Sequence, residues 1–389
     1  MQYPVLPQQP VPPLTPALPT KIRQVGAPLA VIIALGTLTA LILVLIVATN
    51  PGGAVLALVL TTIAMTVVVG AYLWLDRWEP EPPRLLVLAF LWGASVAIVI
   101  SVLLEVAFEY AINPTATTES ATSFFTIAIG APAIEEAAKG LFLLLMMTGV
   151  RRLELNSMTD CLVFAGLVGA GFAWMEDIFY IASGETMGAS LATAGLRLVM
   201  APFAHSLFTT CIGIAVYLAL QQRHTVLKVG YLVAGYLAAV LLHGLWNASA
   251  LLGPKAYFGV YVLWMMPIFA LAIVLAVHSR RREQRVVAAK LPGMVAAGVV
   301  TADEATWLGS LGSRKVAVAA AAQHGKPAAK GVRHFAVQVV ELAFAQDRID
   351  RGFGDQRVIE LRNDETYRVY AARAHVAPTL HWLNDYRAR

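Results

Sequence analysis

The sequence predicts an all-α protein: a polytopic bundle of about eight membrane-spanning helices, followed by a small, helical, cytoplasmic C-terminal region. Composition is the first observation behind this prediction, since 58% of the 389 residues are hydrophobic and only 14% are charged. Soluble domains are about one quarter charged. The second observation is the mean hydropathy of +0.67, and the third is that the apolar residues form long runs separated by short polar loops.

The excess of basic over acidic residues in the chain is explained by membrane topology. The net charge is +5 and the pI is about 9.2, but the Lys and Arg residues lie in short clusters between apolar runs. This pattern is typical of cytoplasmic loops and argues against nucleic-acid binding. Cys161 and Cys211 both fall in predicted spans, where they are small buried residues and give neither a disulfide framework nor a cysteine metal site.

Three regions follow one another along the chain. Residues 1–27 form a Pro-rich N-terminal arm, predicted to be disordered because seven prolines fall within the first twenty residues. Residues 28–278 form the transmembrane domain, and 279–389 a soluble cytoplasmic tail. Each predicted span is long enough to cross about 30 Å at about 1.5 Å per residue. The spans are Pro28–Ala48, Gly53–Leu75, Leu85–Ile112, Ser123–Thr148, Cys161–Ser183, Leu191–Leu220, Gly230–Leu252 and Tyr257–His278.

Alternate loops carry the positive charge, which sets the predicted orientation. Four connections on one side hold almost no basic residue: Thr49–Gly52, Asn113–Thr122, Gly184–Ala189 and Gly253–Ala256, the last with Lys255 alone. Basic residues mark the other side, in the N-terminal arm, Asp76–Arg84, Arg151–Asp160, Gln221–Lys228 and the segment from Arg280. Because cytoplasmic loops are enriched in Lys and Arg, both termini are predicted to be cytoplasmic.

The tail begins with an arginine cluster and contains two helix signals. Thr301-Ala-Asp-Glu304 has the pattern of a capping box at a helix start. A second helix is predicted from one apolar stripe, made by Phe335, Ala336, Val339, Val340, Leu342 and Ala343. We find no catalytic motif in the tail.

Ionisable residues inside the spans are the strongest functional signal. Each costs roughly 2.5–3.5 kcal/mol to insert at the middle of a membrane helix, so such residues face the bundle interior and mark functional paths. In the fourth span, Glu135 and Lys139 share a helix face, while Glu136 is expected to point about 100° away. An internal Glu135–Lys139 ion pair is the structural alternative, but it does not explain Glu136.

Three later spans add polar residues at similar depth. Glu176 follows Phe172 on one face of the fifth span, and His205 lies beyond Pro202, which can free a backbone carbonyl and open the sixth helix. His243 and Asn247 share a face of the seventh span. The structural alternative for Glu176 is a residue at the outer interface next to Asp177, and for the other three it is helix packing. Counted at about 1.5 Å per residue, all lie in the middle-to-outer half of the bilayer and are compatible with one cavity.

Such a set can hydrolyse a peptide bond in two ways, and the residues leave the choice open. A carboxylate in a low-dielectric pocket can take a proton from water and pass it to a leaving amine, while a His or Asn N–H stabilises the oxyanion. Alternatively, Glu136, Glu176, His205 and His243 hold a divalent metal such as zinc that activates the water. No His-Glu-x-x-His pair is present to decide between them.

The ordered motifs resemble the PrsW family of bacterial intramembrane proteases, which is similar to the CAAX endopeptidase and bacteriocin-immunity superfamily. They are Glu135-Glu136-x-x-Lys139, Phe172-x-x-x-Glu176, His205 and His243-x-x-x-Asn247, on four successive spans. The resemblance covers about residues 85–278. It implies that Glu135 and Glu136 activate water, that Glu176 helps to bind water or metal, and that His205, His243 and Asn247 ligate metal or stabilise the oxyanion.

The resemblance also implies a substrate class, and two alternative functions remain to be tested. It implies cleavage of a single-pass membrane protein, such as an anti-sigma factor, in the outer half of the bilayer. Glu176 and Lys139 depart from the wider superfamily, which usually has His and often Arg at these places. A non-catalytic membrane scaffold or regulator is the main alternative, and a proton-coupled transporter is a third. The sequence leaves the oligomeric state open.

Overall fold

The described part of the protein is built from α-helices. The computed structural model describes residues 27–78, 80–115 and 122–385, and no strand occurs among them. The predicted arm therefore lies outside the described residues, apart from Ala27. The first helices are α1 (Leu29–Thr49), α2 (Pro51–Leu75), α3 (Pro83–Leu91), α4 (Ile98–Ile112), α5 (Ala131–Met146), α6 (Met158–Ala182), α7 (Met187–Ala194), α8 (Ala204–Leu220), α9 (Thr225–Leu251), α10 (Pro254–Val260) and α11 (Met266–Ala296).

The remaining helices are shorter on average and belong to the C-terminal part. They are α12 (Ala302–Leu308), α13 (Leu311–Ala321), α14 (Lys326–Arg348), α15 (Gln356–His375) and α16 (Ala377–Asp385). Wider π-helical turns interrupt or extend the helices at Trp92–Ala97, Thr126–Gly130, Gly195–Met200, Tyr261–Met265 and Ile349–Phe353. Short 3₁₀ turns occur at Gly149–Glu154 and Ala322–His324.

Seven helical segments within the described residues are long and apolar enough to cross a membrane. They are Leu29–Thr49, Pro51–Leu75, Pro83–Ile112, Met158–Ala182, Met187–Leu220, Thr225–Leu251 and Pro254–Ala296. The fourth predicted span is also helical, through Thr126–Gly130 and α5, and is not among these seven because Glu135, Glu136 and Lys139 lie close together near its middle. The prediction of a helical transmembrane bundle is confirmed.

Pro202 breaks a helix, as the sequence predicts. The chain leaves helical geometry at Ala201, and α8 starts only at Ala204. The backbone carbonyl of Met200 at this break accepts a hydrogen bond from the Tyr261 hydroxyl at 3.1 Å. A neighbouring span thus satisfies a group that lipid cannot.

The membrane-spanning residues form one compact unit, 27–76 and 81–277, organised around α6. In the most apolar stretch of α6, 83% of the residues are buried, against 6% in that of α1. Its glycines allow the close backbone approach typical of helices packed in lipid. A Cβ atom on Gly169 would lie 2.6 Å from the Cα of Ser206 on α8, and one on Gly171 would lie 2.0 Å from the carbonyl oxygen of Phe90 on α3.

A second compact unit contains residues 77, 78, 80 and 278–385. Its core is built on α14, where all six residues of the predicted apolar stripe are buried, which confirms that helix. The predicted capping box is also present: Thr301 Oγ1 accepts from the Glu304 amide at 3.1 Å, and Glu304 Oε2 accepts from the Thr301 amide at 2.7 Å. Trp78 packs beneath the Arg314 guanidinium, 4.3 Å from the ring centre.

Candidate active site

Helix α5 places two carboxylates and one ammonium in the interior of the membrane unit. Glu136 and Lys139 are fully buried and Glu135 is 4% exposed. The Lys139 Nζ donates to Glu135 Oε2 at 2.9 Å and to Glu136 Oε1 at 2.8 Å. The expectation that Glu136 points away from Lys139 is therefore wrong, because residues three apart on a helix are neighbours as well as those four apart.

His205, at the start of α8, links this group to Glu176 on α6. Its Nδ1 lies 3.0 Å from Lys139 Nζ, and its Nε2 lies 2.7 Å from Glu176 Oε2. An ammonium can only donate, so Nδ1 is the accepting nitrogen of a neutral ring and Nε2–H donates to Glu176. The geometry thus fixes the tautomer of His205.

His243, on α9, completes the cluster. Its Nδ1 lies 3.1 Å from Glu136 Oε1, and its ring stacks on Phe208 with the centroids 4.7 Å apart. With Nδ1–H donated to Glu136, the lone pair on Nε2 faces Glu135 Oε2 across 3.9 Å. That gap is too long for a direct hydrogen bond, and a water molecule can contact both atoms.

Arg197 is a partner of Glu176 that the site prediction does not include. It comes from the π-helical turn before α8 and donates to both Glu176 and Asp177. Its guanidinium lies 4.4 Å from the centre of the Tyr180 ring. The side chains of Glu176 and Arg197 are 16% and 26% exposed, while that of His205 is 8% exposed. The Glu176 side of the cluster is therefore the more accessible.

Asn247 takes a different place from the other predicted residues. Its side-chain amide donates to the backbone carbonyl of Ile127 at 3.1 Å, within the π-helical turn that precedes α5. Asn247 thereby ties α9 to the helix that carries the carboxylates. Its predicted role in holding metal or the oxyanion stays a prediction.

Two further polar residues reach the cluster and were missed by the sequence analysis. Thr209 Oγ1 donates to Glu136 Oε2 at 3.0 Å, so both oxygens of Glu136 have partners. Glu105, half-buried on α4, interacts electrostatically with Glu176 and Lys139. Thr209 lies four residues after His205 and thus on the same helix face, which was the available signal. For Glu105, the sequence held no signal other than a charged residue within a span.

Four side chains of the cluster lie close enough together to hold a metal ion. One ligand atom from each of Glu135, Glu136, His205 and His243 can be chosen so that all lie within 4.8 Å of one another. Carboxylate oxygens and neutral imidazoles suit a divalent metal such as zinc. A ligating histidine normally donates its other N–H to a carboxylate, as His205 does to Glu176. Glu176 is outside this group of four and accepts from His205, and its predicted role as a ligand stays a prediction.

A set of carboxylates and imidazoles buried in a helical membrane bundle has the residue types of a hydrolase that works inside the membrane. The family model described as "PrsW family intramembrane metalloprotease" matches residues 81–272. "Protease PrsW" of Oceanobacillus iheyensis is 28% identical over 214 residues, which cover 54% of this chain and 89% of the relative. No solved structure matches the chain. The protein is thus an intramembrane protease, a multi-pass enzyme of the membrane. Through residues 81–272 it belongs to the PrsW family.

Proposed function

We propose that the enzyme hydrolyses a peptide bond of a single-pass membrane protein in the outer half of the bilayer. The observation that carries the proposal is the double engagement of Glu136 Oε1, which contacts both Lys139 and His243. A purely structural ion pair needs no imidazole, whereas proton transfer to and from a reacting group does use one. The buried carboxylates and imidazoles therefore favour catalysis over helix packing.

Glu135 and His243 provide the proton path in this proposal. A water between Glu135 Oε2 and His243 Nε2 gives its proton to Glu135 as it attacks the scissile carbonyl. Glu135 then returns the proton to the leaving amine, as a general base and then a general acid. Glu136 holds His243 through Nδ1–H, and Thr209 fixes the second oxygen of Glu136. The surrounding apolar helices exclude bulk water from these transfers.

A divalent metal ion fits the same four residues. Glu135, Glu136, His205 and His243 would hold it, with Glu176 orienting His205 through its Nε2–H. When bound, such an ion would supply Lewis-acid polarisation of the scissile carbonyl and of water. Zinc is the metal that the donor set suits best. Asn247 would act indirectly, by fixing α9 against the turn before α5.

The alternation of basic loops supports cytoplasmic termini in a bacterial plasma membrane. With that orientation, the C-terminal end of α6, near Glu176, faces the outer side. Because Glu176 and Arg197 form the more exposed edge of the cluster, we assign substrate entry to this edge. A membrane-anchored regulator such as an anti-sigma factor is the substrate class that the family implies. Residues 28–278 would be the protease domain and 279–389 a cytoplasmic region.

The test compares the N-termini of membrane proteins, by mass spectrometry, in cells carrying the wild-type chain or Glu136→Gln at equal expression. Glu185→Gln, at an exposed position on the predicted outer side, is the matched control. We expect N-termini near the outer end of a single-pass protein in wild-type and control cells only. Identical termini in all three strains across several stress conditions would favour the scaffold or transporter alternatives instead.

A further inference from the structure

Lys139 is the cation at the centre of the candidate metal group. Its Nζ lies 2.8 Å from Glu136 Oε1, 2.9 Å from Glu135 Oε2 and 3.0 Å from His205 Nδ1. Three of the four possible ligands therefore already contact one positive charge. We propose that Lys139 is a positioning residue that holds this donor set together and that a divalent ion binds only by displacing its ammonium. This inference rests on the proposed metal site.

The accepting lone pair of His205 cannot serve both cations. The accepting nitrogen of His205 has a single lone pair, which the Lys139 ammonium uses. Its other nitrogen donates to Glu176. On Glu136, Oε2 accepts a hydrogen bond from Thr209. The other oxygen, Oε1, is the one that accepts from Lys139. Zinc bonds to nitrogen and oxygen are about 2.0–2.2 Å, far shorter than these hydrogen bonds, so the ammonium must leave for the metal to enter.

Charge balance points the same way. Two ionised carboxylates and one ammonium leave the centre with one negative charge. A divalent ion added beside the retained ammonium would give one positive charge, whereas the ion alone would neutralise the two carboxylates. Uncompensated charge is costly in a buried, low-dielectric site. Lys139 therefore lowers the affinity of the cluster for a divalent ion, by at least about tenfold on this argument.

The surroundings of Lys139 explain how its ammonium can move when a metal ion binds. Its ammonium lies 3.8 Å from the centre of the Phe172 ring, a cation–π contact that defines one side of its position. A further carboxylate, Glu176, lies beyond His205, with its Oε2 2.7 Å from the ring Nε2. A displaced ammonium can thus move toward another negative group without reaching lipid. In this proposal the cluster exchanges one cation for another.

The experiment measures zinc binding to the purified full chain in lipid nanodiscs, by competition with a chromophoric chelator. The test variant is Lys139→Met, since methionine keeps an unbranched side chain of similar length against Phe172. Lys139→Arg keeps the charge, and Lys255→Met changes an exposed lysine of the same unit. We expect Lys139→Met to bind zinc at least tenfold more tightly than the wild type. Lys139→Arg should bind no more tightly than the wild type, and Lys255→Met should match it.

A second readout is thermal stability, which does not depend on activity. Without zinc, Lys139→Met should unfold at a lower temperature than the wild type, because two carboxylates lose their counter-ion. Adding zinc should restore the unfolding temperature of the variant. Adding Glu136→Gln to Lys139→Met should abolish tight binding, which would locate the ion. If Lys139→Met does not accumulate, Lys139→Gln carries the same expectations.

Equal or weaker zinc binding by the Lys139 variants, still abolished by Glu136→Gln, would overturn the displacement proposal and leave the metal site standing. No Glu136-dependent zinc binding in any variant would overturn both the displacement proposal and the metal site. The comparison of N-termini would still decide proteolysis separately. Tighter binding that persists with Glu136→Gln would place the ion elsewhere and would also count against the proposal.

Discussion

Two clusters of paired charge, one in each compact unit, both place a buried lysine between two carboxylates, and they differ in their neighbours. In the membrane unit, Lys139 lies between Glu135 and Glu136. In the C-terminal unit, Lys290 lies between Asp347 and Asp350, at 3.3 and 2.8 Å. There Arg351 also donates to Asp347 and Gln346 to Asp350, whereas His205 and His243 surround the cluster of the membrane unit.

The comparison teaches which part of a buried ion cluster carries chemistry. An ammonium between two carboxylates occurs in both units and serves to neutralise charge that burial would penalise. The Arg351 and Gln346 side chains only donate to these carboxylates, so they offer no nitrogen that accepts a proton. Imidazole nitrogens both donate and accept. The cluster of the membrane unit can therefore move protons, and the following variants test this distinction.

The largest expected effect comes from removing an imidazole. His243→Ala should lower the cleavage rate at least about a hundredfold, because general acid–base groups contribute about 10²–10⁴. Asp350→Asn, in the cluster of the C-terminal unit, should leave the rate unchanged. The measurement is cleavage of a reconstituted substrate in proteoliposomes, with equal amounts of inserted enzyme. A rate loss from Asp350→Asn as large as that from His243→Ala would erase the contrast between the clusters.

The next effect concerns the group that orients His205. Glu176→Gln removes the charged acceptor of the His205 Nε2–H, and loss of such supporting partners typically costs about 10–100-fold in metal affinity or activity. We expect this loss in both cleavage rate and zinc affinity. Asp177→Asn is the matched control, since Asp177 contacts Arg197 and has no recorded contact with His205 among the described residues. Equal losses in the two variants would show that the Arg197 contacts, rather than the His205 contact, matter.

A smaller effect, on stability alone, is expected in the C-terminal unit. Lys290→Met should destabilise the region around α14 by about 1–3 kcal/mol, because the half-buried Asp347 and the exposed Asp350 lose a shared charged donor. Hydrogen exchange of α14 amides in the full chain measures this, with Lys315→Met at an exposed position of α13 as the control. Cleavage should stay at the wild-type rate, and a fall in cleavage would mean that this cluster supports the active site after all.

The smallest effect should follow loss of the capping box. Thr301→Ala removes the acceptor for the Glu304 amide and should cost about 1 kcal/mol. Thr306→Ala, on the same short helix and exposed, should stay within about 0.5 kcal/mol of the wild type. Hydrogen exchange of α12 amides reports both. If the two threonines behave alike, the cap contributes nothing measurable.

The sequence predicts the fold class well because lipid imposes long apolar helices, and Pro202 and the capping box at Thr301 follow from local backbone chemistry. It also predicts the pair Glu135–Lys139 from helix periodicity. The contacts across helices are harder. Arg197 reaches Glu176 from a π-helical turn, Gly195–Met200, and such a turn changes the phase of the helix, so that a count at 3.6 residues per turn does not place the side chain.

Depth counting likewise predicts that the polar residues lie together but not which atoms meet. Glu136 contacts Lys139 because the two lie three residues apart on α5. It contacts His243 because α9 packs beside α5, and helix periodicity does not predict that packing. Asn247 shares a helix face with His243, yet it reaches a backbone carbonyl of the turn before α5. Residue type and depth therefore indicate the cluster, while roles within it depend on packing.

The close approach at Gly169 has a consequence for genetics. A methyl group there would meet the backbone of His205 and Ser206 at 2.6–2.7 Å and push α8 away from α6. Such a shift is on the scale at which catalytic geometry fails. A random screen for inactive enzymes should therefore recover Gly169→Ala beside the acidic and imidazole variants. A site map drawn from that screen alone would count as catalytic a position whose whole contribution is the absence of a side chain.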